Sequence, residues 1–331
     1  MRQEGTLLLK RREVAALLNI EEYIAAVERV FRLQGEGKAA PPGVLGVHAR
    51  DGGFHIKAGV LELDRPYFAA KTNANFPQNM KRFDLPLIQG VIVLCDAENG
   101  YPLALMDSIE ITIRRTGAAT AVAARHLARP DSKVVTVCGC GNQGRISLRA
   151  LRQVLPIEKA FAYDADDAQA RGFARELAEE LGIEVEAVNE LEQAAGQSDI
   201  LITCTPSKRA FLKRDFVSPG TFVAAVGADS PEKQELEPAL LAQSKIVTDI
   251  VEQCATFGEL HHAIEAGLVK REGVHAELGE VLAGVKPGRT SPEETIVFDS
   301  TGMALQDVVA AAAVYEKAVS QGMGTLLDFS E

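Results

Sequence analysis

The sequence predicts an α/β protein in which a doubly wound parallel sheet is joined to a separate α+β domain. A β-branched run at residues 134–137 leads directly into a glycine-rich turn at residues 139–144. From residue 133 onward, short apolar strands alternate with amphipathic helices, which is the pattern of a parallel sheet. Residues 53–106 instead contain strand-like runs and a tight turn, which favour antiparallel pairing.

The glycine-rich turn has the spacing of a dinucleotide-binding fingerprint, G-x-G-x-x-G. Gly139 permits the tight strand-to-helix turn, Gly141 lets the backbone approach a pyrophosphate, and Gly144 lets the helix pack on the strand. The pyrophosphate would rest on the helix N-terminus, where free N–H groups and the helix dipole favour anions. Asp164 ends the second strand, where it would bind the adenosine ribose hydroxyls and repel a 2′-phosphate. The sequence therefore predicts a Rossmann domain that binds NAD rather than NADP.

The N-terminal part of the chain predicts a different architecture. Apolar residues recur at helical spacing over residues 11–36, and a break rich in Pro and Gly follows at residues 39–46. Strand-like runs follow at residues 53–59, 67–73, 87–96 and 101–106. The turn signal Glu98-Asn99-Gly100 makes the last of these runs return antiparallel. A long Ala-rich helix at residues 109–127 ends before Arg129-Pro130, which marks the domain boundary.

The C-terminal part predicts the parallel sheet and then a return to the first domain. The predicted strands of that sheet are residues 134–137, 160–163, 183–188, 199–204, 220–226 and 245–249. Residues 295–302 lead into an Ala-rich helix at 304–319, and we interpret this segment as the chain leaving the Rossmann domain. We therefore predict one domain over residues 1–128 with 300–331, and the Rossmann domain over residues 129–299.

Composition and charge exclude several classes of function. The formal net charge is −11, and no basic run with interleaved aromatic residues occurs, so we expect no nucleic-acid partner. The N-terminus is polar and the apolar stretches are shorter than a membrane span, so we expect no membrane partner. Five cysteines without disulfide spacing indicate a reducing compartment, and we predict a cytoplasmic protein.

Neither cysteines nor histidines predict a metal site. Cys138 and Cys140 are spaced like a metal-binding pair, but they flank Gly139, and no second ligand pair accompanies them. We interpret them as small residues in a crowded turn. His261 and His262 are adjacent in a predicted helix, so their side chains would point apart. We predict no metal.

Charged residues at three places in the chain have both a structural and a functional interpretation. Lys71 lies in an apolar strand, either as an edge lysine that reaches water or as a functional group. Arg114 and Arg115 follow an apolar helical run, where two arginines usually form a solvated face. Asp229 lies just beyond the fifth parallel strand, at the edge where open α/β sheets bind ligands. As an isolated residue, Asp229 would instead cap a helix starting near Pro231.

Six segments together carry a resemblance to one protein family. They are Ala70-Lys-Thr-Asn73 with Asn79, Asp107 to Ala119, Gly139 to Gly144, Val226 to Leu236, Gly258-Glu-Leu260 and Ser300 to Asp307. The glycine fingerprint alone is common, but the other five segments are not. On these segments the chain resembles the ornithine cyclodeaminase/mu-crystallin family over nearly its whole length. The resemblance implies a homodimer formed through the non-Rossmann domain, which would also bind substrate, and an active site in the cleft between domains.

The resemblance also implies chemistry at the Cα–N bond of a small amino or imino acid, with bound or exchanging NAD(P)(H). In the dehydrogenase form an amino acid is oxidised to an imine, which water hydrolyses to a 2-oxo acid, or the imine is reduced in the reverse direction. In the cyclodeaminase form L-ornithine gives proline plus ammonia with no net oxidation. The alternative is a non-catalytic NAD(P)H-binding protein, as in the crystallin branch of the family. The joint presence of Lys71, Arg115 and Asp229 favours an enzyme.

The family's functional residues map onto positions of this chain. Asp229 matches the catalytic aspartate, with a proton-transfer or amine-binding role, and Lys233 and Glu235 would brace its loop. Lys71 would bind the substrate carboxylate or, with a pKa lowered by burial, relay a proton. Arg115 would clamp the carboxylate bidentately, and Arg114 is interpreted as a surface residue. The predicted cofactor contacts beyond the turn glycines and Asp164 are Thr116, Asn142, Gln143, Thr203, Thr205, Val226, Gly227, Ser300, Thr301 and Gly302.

One departure from the family affects the substrate site. Many members carry an arginine in the strand before the Lys71 strand, but this chain has His55 and Lys57 there. Strand alternation places both on one face, so they would replace the arginine as a pair. A core or interface histidine is the alternative for His55. Asn73, in the Lys71 segment, is also expected to contact substrate.

Overall fold

The protein contains two large sheets of different kinds. The structure, a computed structural model, describes residues 5–328. Its strands are β1 Thr6–Leu9, β2 Gly43–Ala49, β3 Gly52–Glu62, β4 Pro66–Asn75, β5 Ile88–Asp96, β6 Pro102–Asp107, β7 Val134–Cys138, β8 Lys159–Tyr163, β9 Glu184–Ala187, β10 Ile200–Thr203, β11 Lys208–Leu212, β12 Phe222–Ala225, β13 Gln234–Leu236, β14 Lys245–Thr248, β15 Ala276–Glu277, β16 Ile296–Asp299 and β17 Thr325–Leu327. Its α-helices are α1 Arg11–Leu17, α2 Ile20–Gly35, α3 Asn79–Phe83, α4 Ser108–Leu127, α5 Asn142–Leu151, α6 Asp167–Leu181, α7 Leu191–Gly196, α8 Pro238–Ala242, α9 Val251–Phe257, α10 Glu259–Glu265, α11 Leu278–Leu282 and α12 Ala304–Gln321.

The chain divides into two compact units, and both divisions differ from the predicted boundaries. The first unit runs to Arg115 and resumes at Met303, and the second unit is Thr116–Gly302. The sequence placed the boundaries after residues 128 and 299, but the first division lies within α4. A Cβ atom on Gly117 would lie 2.9 Å from the carbonyl oxygen of Ile146, so this part of α4 packs closely on α5. That contact assigns the second half of α4 to the second unit.

The first unit is a seven-stranded sheet covered by helices. The strand order is β17-β1-β6-β5-β4-β3-β2. The strands from β2 to β6 pair antiparallel, whereas β1 pairs parallel with β6. Helix α12 packs on β3 and β4 and against α2, and its residues are buried along most of its length. The C-terminal segment therefore completes this α+β unit, as predicted.

Two local predictions in the first unit are wrong. The single helix predicted over residues 11–36 is interrupted at Leu18, and α2 begins after Asn19. The Asn19 side chain accepts a hydrogen bond from Glu22 N at 2.9 Å, and the Glu22 carboxylate accepts one from Asn19 N at 2.8 Å. This capping box starts a new helix. The break predicted at residues 39–46 also contains the start of β2, a strand whose residues are all exposed.

The second unit is built on a parallel sheet of eight strands in the order β15-β14-β16-β12-β10-β7-β8-β9. All its strand pairs are parallel. The six predicted strands correspond to β7, β8, β9, β10, β12 and β14. Residues 295–302, however, are not an exit segment, because β16 lies buried between β12 and β14. With this correction, the predicted Rossmann and α+β fold class is confirmed.

Among the described residues, no helix is both long enough and apolar enough to cross a membrane. The longest helices, α4 and α12, belong to the packed layers described above.

The close packing of the glycine-rich turn gives a stability prediction. A Cβ atom on Gly144 would overlap the carbonyl oxygen of Gly139 and lie 2.9 Å from Val137 Cγ1, whereas one on Gly141 would meet nothing within 4 Å. We expect Gly144→Ala to lower the free energy of unfolding by about 1–3 kcal/mol in a denaturant titration. Gly141→Ala is the matched control and should stay within about 0.5 kcal/mol. Equal stability of the two variants would contradict the packing described here.

Candidate active site

The turn after β7 has the geometry of a phosphate cradle. Gly139 has a φ of 105°, a left-handed conformation that favours glycine, and a Cβ there would lie 3.0 Å from the carbonyl oxygen of Cys204. Helix α5 begins at Asn142, and no side chain caps its N-cap residue, Gly141. The N–H groups of its first turn, which includes Gln143, can therefore bind an anion.

Asp164 is held beside this turn by two backbone N–H groups. Its Oδ2 accepts a hydrogen bond from Cys140 N at 2.7 Å, and its Oδ1 accepts one from Asp166 N at 3.0 Å. The basic residue of the turn, Arg145, is already engaged, because its Nε donates to Glu176 Oε2 at 2.8 Å and its guanidinium stacks on Phe173. Asp164 therefore lies where a ribose would bind. Arg145, the arginine of the turn, is already paired with Glu176.

A buried carboxylate joins two loops at the carboxyl ends of the parallel strands. Glu235 accepts hydrogen bonds from Thr205 N at 2.6 Å, Thr205 Oγ1 at 2.7 Å and Gly227 N at 3.1 Å. The end of β10 is also hydrogen-bonded to the residue after β12, because Val226 N donates to the Thr203 carbonyl at 2.9 Å. Burial raises the pKa of Glu235 to about 7. Four of the predicted cofactor residues are thus brought together at one edge of the sheet.

The segment after β16 is held by an acid that sequence reasoning missed. Asp249 Oδ2 accepts hydrogen bonds from Ser300 Oγ at 2.9 Å and from Gly302 N at 2.6 Å, and Thr301 Oγ1 donates to Asp249 Oδ1 at 3.4 Å. The predicted residues of this segment are therefore directed toward Asp249. An available signal was the position of Asp249 directly after β14, at the carboxyl end of a strand.

Asp229 is not a helix cap, because the described chain continues from its loop into β13 and no helix begins near Pro231. Its Oδ1 lies 2.6 Å from Lys233 Nζ, which also donates to the Gly227 carbonyl at 3.4 Å. The Asp229 side chain is 56% exposed, so it is accessible to a ligand. Both predicted bracing residues contact Gly227 of this loop. Lys233 donates to its carbonyl, and Glu235 accepts a hydrogen bond from its N–H group.

Lys71, in the first unit, belongs to a buried ion cluster. Its strand, β4, lies in the interior of the sheet, and the side chain is only 4% exposed, so the edge-lysine interpretation is wrong. Lys71 Nζ lies 2.7 Å from Asp307 Oδ2, so the two side chains form an ion pair. Arg115 donates from Nε to Asp307 Oδ1 at 3.1 Å and from Nη1 to Gln306 Oε1 at 2.9 Å. The two cations thus share one carboxylate.

Burial and neighbouring charges in this cluster shift the pKa values of both Lys71 and Asp307. Burial, together with the positive charges of Arg115 and Lys57, lowers the pKa of Lys71 to about 7, against the attraction of Asp307. Burial opposes ionisation of Asp307, but Lys71 and Arg115 together hold its pKa below the usual value. A lysine that titrates near neutrality can bind an anion in one form and move a proton in the other.

The strand neighbours of Lys71 include the other predicted substrate residues. Lys57 lies directly opposite Lys71 across the β3–β4 pair, and His55 lies opposite Asn73. Asn73 Oδ1 accepts a hydrogen bond from Ser108 Oγ at 2.6 Å. His55 is exposed, so it is not a core histidine. Register therefore brings these four predicted residues together on adjacent strands.

Four further residues, Arg114, Thr116, Gln306 and Asp307, bear on the sequence predictions. Arg114 is partly buried, with its side chain 23% exposed, and it donates to the carbonyls of Leu18 at 3.2 Å and Ala15 at 3.1 Å. Thr116 is the first residue of the second unit, and its carbonyl accepts a hydrogen bond from Thr120 Oγ1 at 3.1 Å. Gln306 and Asp307 were not predicted from the sequence to have a role, although two polar residues in the first turns of an Ala-rich helix were a usable signal.

The two adjacent histidines do not point apart, so that argument against a metal is wrong. The rings of His261 and His262 meet edge to face with centroids 5.1 Å apart, and ligand atoms of both histidines and Glu265 lie within 4.8 Å of one another. The hydrogen-bond distance of 2.7 Å between His262 Nε2 and the Lys233 carbonyl accounts for this ring orientation. The absence of a metal stays a prediction.

Comparison with known proteins identifies the family. The sequence model of the ornithine cyclodeaminase/mu-crystallin family matches residues 4–322. An archaeal alanine dehydrogenase dimer with bound NAD is similar at a TM-score of 0.94 and 39% identity, over 98% of this chain and 99% of that one. The Δ1-pyrroline-2-carboxylate reductase of Thermococcus litoralis, in complex with NADH and L-proline, gives 0.92 and 36% over 97% and 100%. The iminosuccinate reductase of Paracoccus denitrificans, in complex with NAD+, gives 0.90 and 33% over 98% and 100%. This chain therefore belongs to the ornithine cyclodeaminase/mu-crystallin family.

Proposed function

We propose that this protein is an NAD-dependent oxidoreductase that interconverts a small α-amino acid and the corresponding imino acid. The observation that carries the proposal is the buried cluster in which Lys71 and Arg115 share the carboxylate of Asp307. Two adjacent cations suit the carboxylate that every α-amino and α-imino acid contains. The relatives named above act on an amino acid or an imino acid, which supports the same chemical class here.

The residues of the second unit fit NAD. The cradle at Gly139 and Gly144 has no room for a Cβ, the N-terminus of α5 is uncapped, and Asp164 stands at the end of β8. These features would hold the pyrophosphate and the adenosine ribose. When bound, NAD+ would accept a hydride from the Cα of the amino acid, and NADH would supply one to the same carbon of the imino acid. The three similar structures contain NAD or NADH.

Lys71 and Arg115 would hold the substrate carboxylate, with Lys57 adding positive charge from the neighbouring strand. Fixing the carboxylate orients the adjacent Cα, which is the main contribution of a positioning contact. Asp229 would exchange a proton with the substrate nitrogen, because oxidation of the amine requires its neutral form. A base at that nitrogen favours the transition state more than the ground state.

Two alternatives within the family are separable from this proposal. Cyclodeamination of L-ornithine uses the same residues but gives proline and ammonia with no net change in NADH, so product analysis distinguishes it. A non-catalytic NAD(P)H-binding protein would not need a buried lysine that titrates near neutrality together with an accessible acid at Asp229. The cluster therefore favours an enzyme.

We also propose a homodimer formed through the first unit. The edge strand β2 is exposed along its whole length and carries the apolar residues Val44, Leu45 and Val47. An exposed edge strand with apolar side chains is a surface that natural proteins normally cover. The similar alanine dehydrogenase structure is a dimer, which supports a second copy of this chain as the covering partner.

The first functional prediction concerns cofactor choice. NADH should bind at least about tenfold more tightly than NADPH, because a 2′-phosphate beside Asp164 would meet like charge. Asp164→Ser should reduce this preference for NADH over NADPH. Asp167→Ser, which changes an exposed acid at the start of α6, should leave the preference unchanged. Fluorescence titration of both nucleotides measures the ratio. Equal or tighter NADPH binding by the parental protein would refute the preference.

The second functional prediction concerns Asp229. Asp229→Asn should lower turnover by about 10²-fold, because it removes the proton acceptor at the substrate nitrogen, while the NADH dissociation constant stays the same. The assay follows NADH consumption with pyruvate plus ammonium and with cyclic imino acids. Glu232→Gln, an exposed acid of the same loop that pairs with Lys208, is the control and should keep full activity. Near-normal turnover in Asp229→Asn would remove this residue from the mechanism.

The third functional prediction concerns assembly. Light scattering at micromolar concentration should give twice the chain mass of 35.5 kDa. Leu45→Lys should shift the population toward the monomer, because it places a charge on the exposed apolar edge strand. Leu268→Lys changes a similarly exposed leucine of the second unit and should leave the mass unchanged. A monomeric parental protein would contradict the dimer.

A further inference from the structure

Asp307 is a buried acid in a helix that is otherwise rich in alanine and valine. It is 1% exposed, and it lies at the start of α12 beside Gln306, which is also fully buried. Its two oxygens are divided between two cations, with Oδ2 next to Lys71 Nζ at 2.7 Å and Oδ1 accepting from Arg115 Nε at 3.1 Å. The mechanism proposed above uses Lys71 and Arg115 but gives Asp307 no role.

The charges around Lys71 show what Asp307 contributes. The charged groups that act on Lys71 are Asp307 from α12, Arg115 from α4 and Lys57 from β3. Among these, Asp307 alone is negative. Without it, Lys71 would be a buried amine facing two positive groups, and each of these factors disfavours the ammonium form. Asp307 is therefore the group in this cluster that opposes deprotonation of Lys71.

A purely structural role explains the geometry less well. Replacing a buried ion pair by apolar residues of similar size is often neutral or stabilising, so α12 does not need an acid to pack on the sheet. A single carboxylate whose two oxygens contact two different cations instead fixes the distance between those cations. That spacing matters when both cations must contact one substrate carboxylate.

We propose that Asp307 is a positioning residue for substrate binding: it keeps Lys71 protonated and holds Lys71 and Arg115 together to receive the substrate carboxylate. This inference rests on the proposed function, because it assumes that the cluster binds the carboxylate of an amino or imino acid. Asp307 acts through its two neighbours and does not itself touch the reacting atoms. The ammonium form of Lys71 then defines the pH range in which substrate binds well.

The direction of the pH effect follows from the charges. Lys71 titrates near neutrality, so the affinity for an anionic substrate should fall as pH rises through about 7. Asp307→Asn keeps the size of the side chain but removes its negative charge, which should lower the pKa of Lys71 by about one unit or more. The alkaline limb of the KM profile moves to lower pH by the same amount. At pH 8 a shift of one unit raises KM about tenfold beyond any pH-independent effect.

Two measurements test the proposal with the full-length protein. Carbon-13 NMR of lysine labelled at Cε gives the pKa of Lys71 directly, and Lys71→Arg assigns the signal by its loss. The pH profiles of KM and kcat, measured with NADH and an imino acid, give the functional effect. Glu316→Gln is the control, because Glu316 lies on the same helix but accepts a hydrogen bond from Tyr67 Oη at 2.8 Å. It should change neither the Lys71 pKa nor the position of the KM limb.

The possible results distinguish a failure of the inference about Asp307 from a failure of the proposed function on which it rests. A lower Lys71 pKa together with a displaced KM limb in Asp307→Asn supports the inference, and an unchanged Lys71 pKa in folded Asp307→Asn overturns it. If Asp307→Asn does not fold, Asp307→Glu takes its place: a Lys71 pKa within about half a unit of the parental value supports the charge as the cause, and a lowered one refutes it. The NMR titration needs no turnover, so an inactive parental protein would reject the proposed function without removing this test.

Discussion

A buried charge must be compensated where it lies, and this constraint governs how the first unit is assembled. Lys71 comes from an interior strand, Arg115 from α4 and Asp307 from α12, so three distant segments of the chain meet at one carboxylate. Removing one partner of such a cluster typically costs about 3–5 kcal/mol, because it leaves an uncompensated ion in the interior. The C-terminal helix is thus joined to the sheet by charge as well as by apolar packing.

The second unit satisfies a related constraint with buried acids and backbone N–H groups. Loops at the carboxyl ends of parallel strands carry N–H groups that the strands no longer pair, and buried N–H groups need acceptors. Glu235 supplies them for Thr205 and Gly227, Asp249 for Gly302, and Glu259 for Glu235 N and Leu236 N. A carboxylate suits this task because it accepts several hydrogen bonds at once. The loops that carry the predicted cofactor residues are therefore shaped by buried acids.

The relatives of this chain share a carboxylate next to a nitrogen-bearing carbon in their named substrates and products, but differ in the remaining atoms. In the proposed function, the cluster around Lys71 binds this shared carboxylate. Lys57, directly opposite Lys71 across the β3–β4 pair, adds a positive charge to this cluster. Substrate choice within the class therefore depends on other side chains, which differ between proteins of one fold.

The sequence by itself determined the features that depend on neighbouring residues. Glycine spacing predicted the turn after β7, and apolar periodicity predicted β3 to β6, six strands of the parallel sheet and the two longest helices. The roles that the family motifs give to Lys71, Arg115 and Asp229 stay predictions. Tertiary structure decided what depends on residues far apart in the chain. It placed β16 inside the parallel sheet, divided α4 between the two units and brought Asp249 and Asp307 to their partners. The physical reason is that periodicity and turn chemistry are local, whereas a strand's neighbours and the partner of a buried charge are fixed only when the folded chain brings distant segments together.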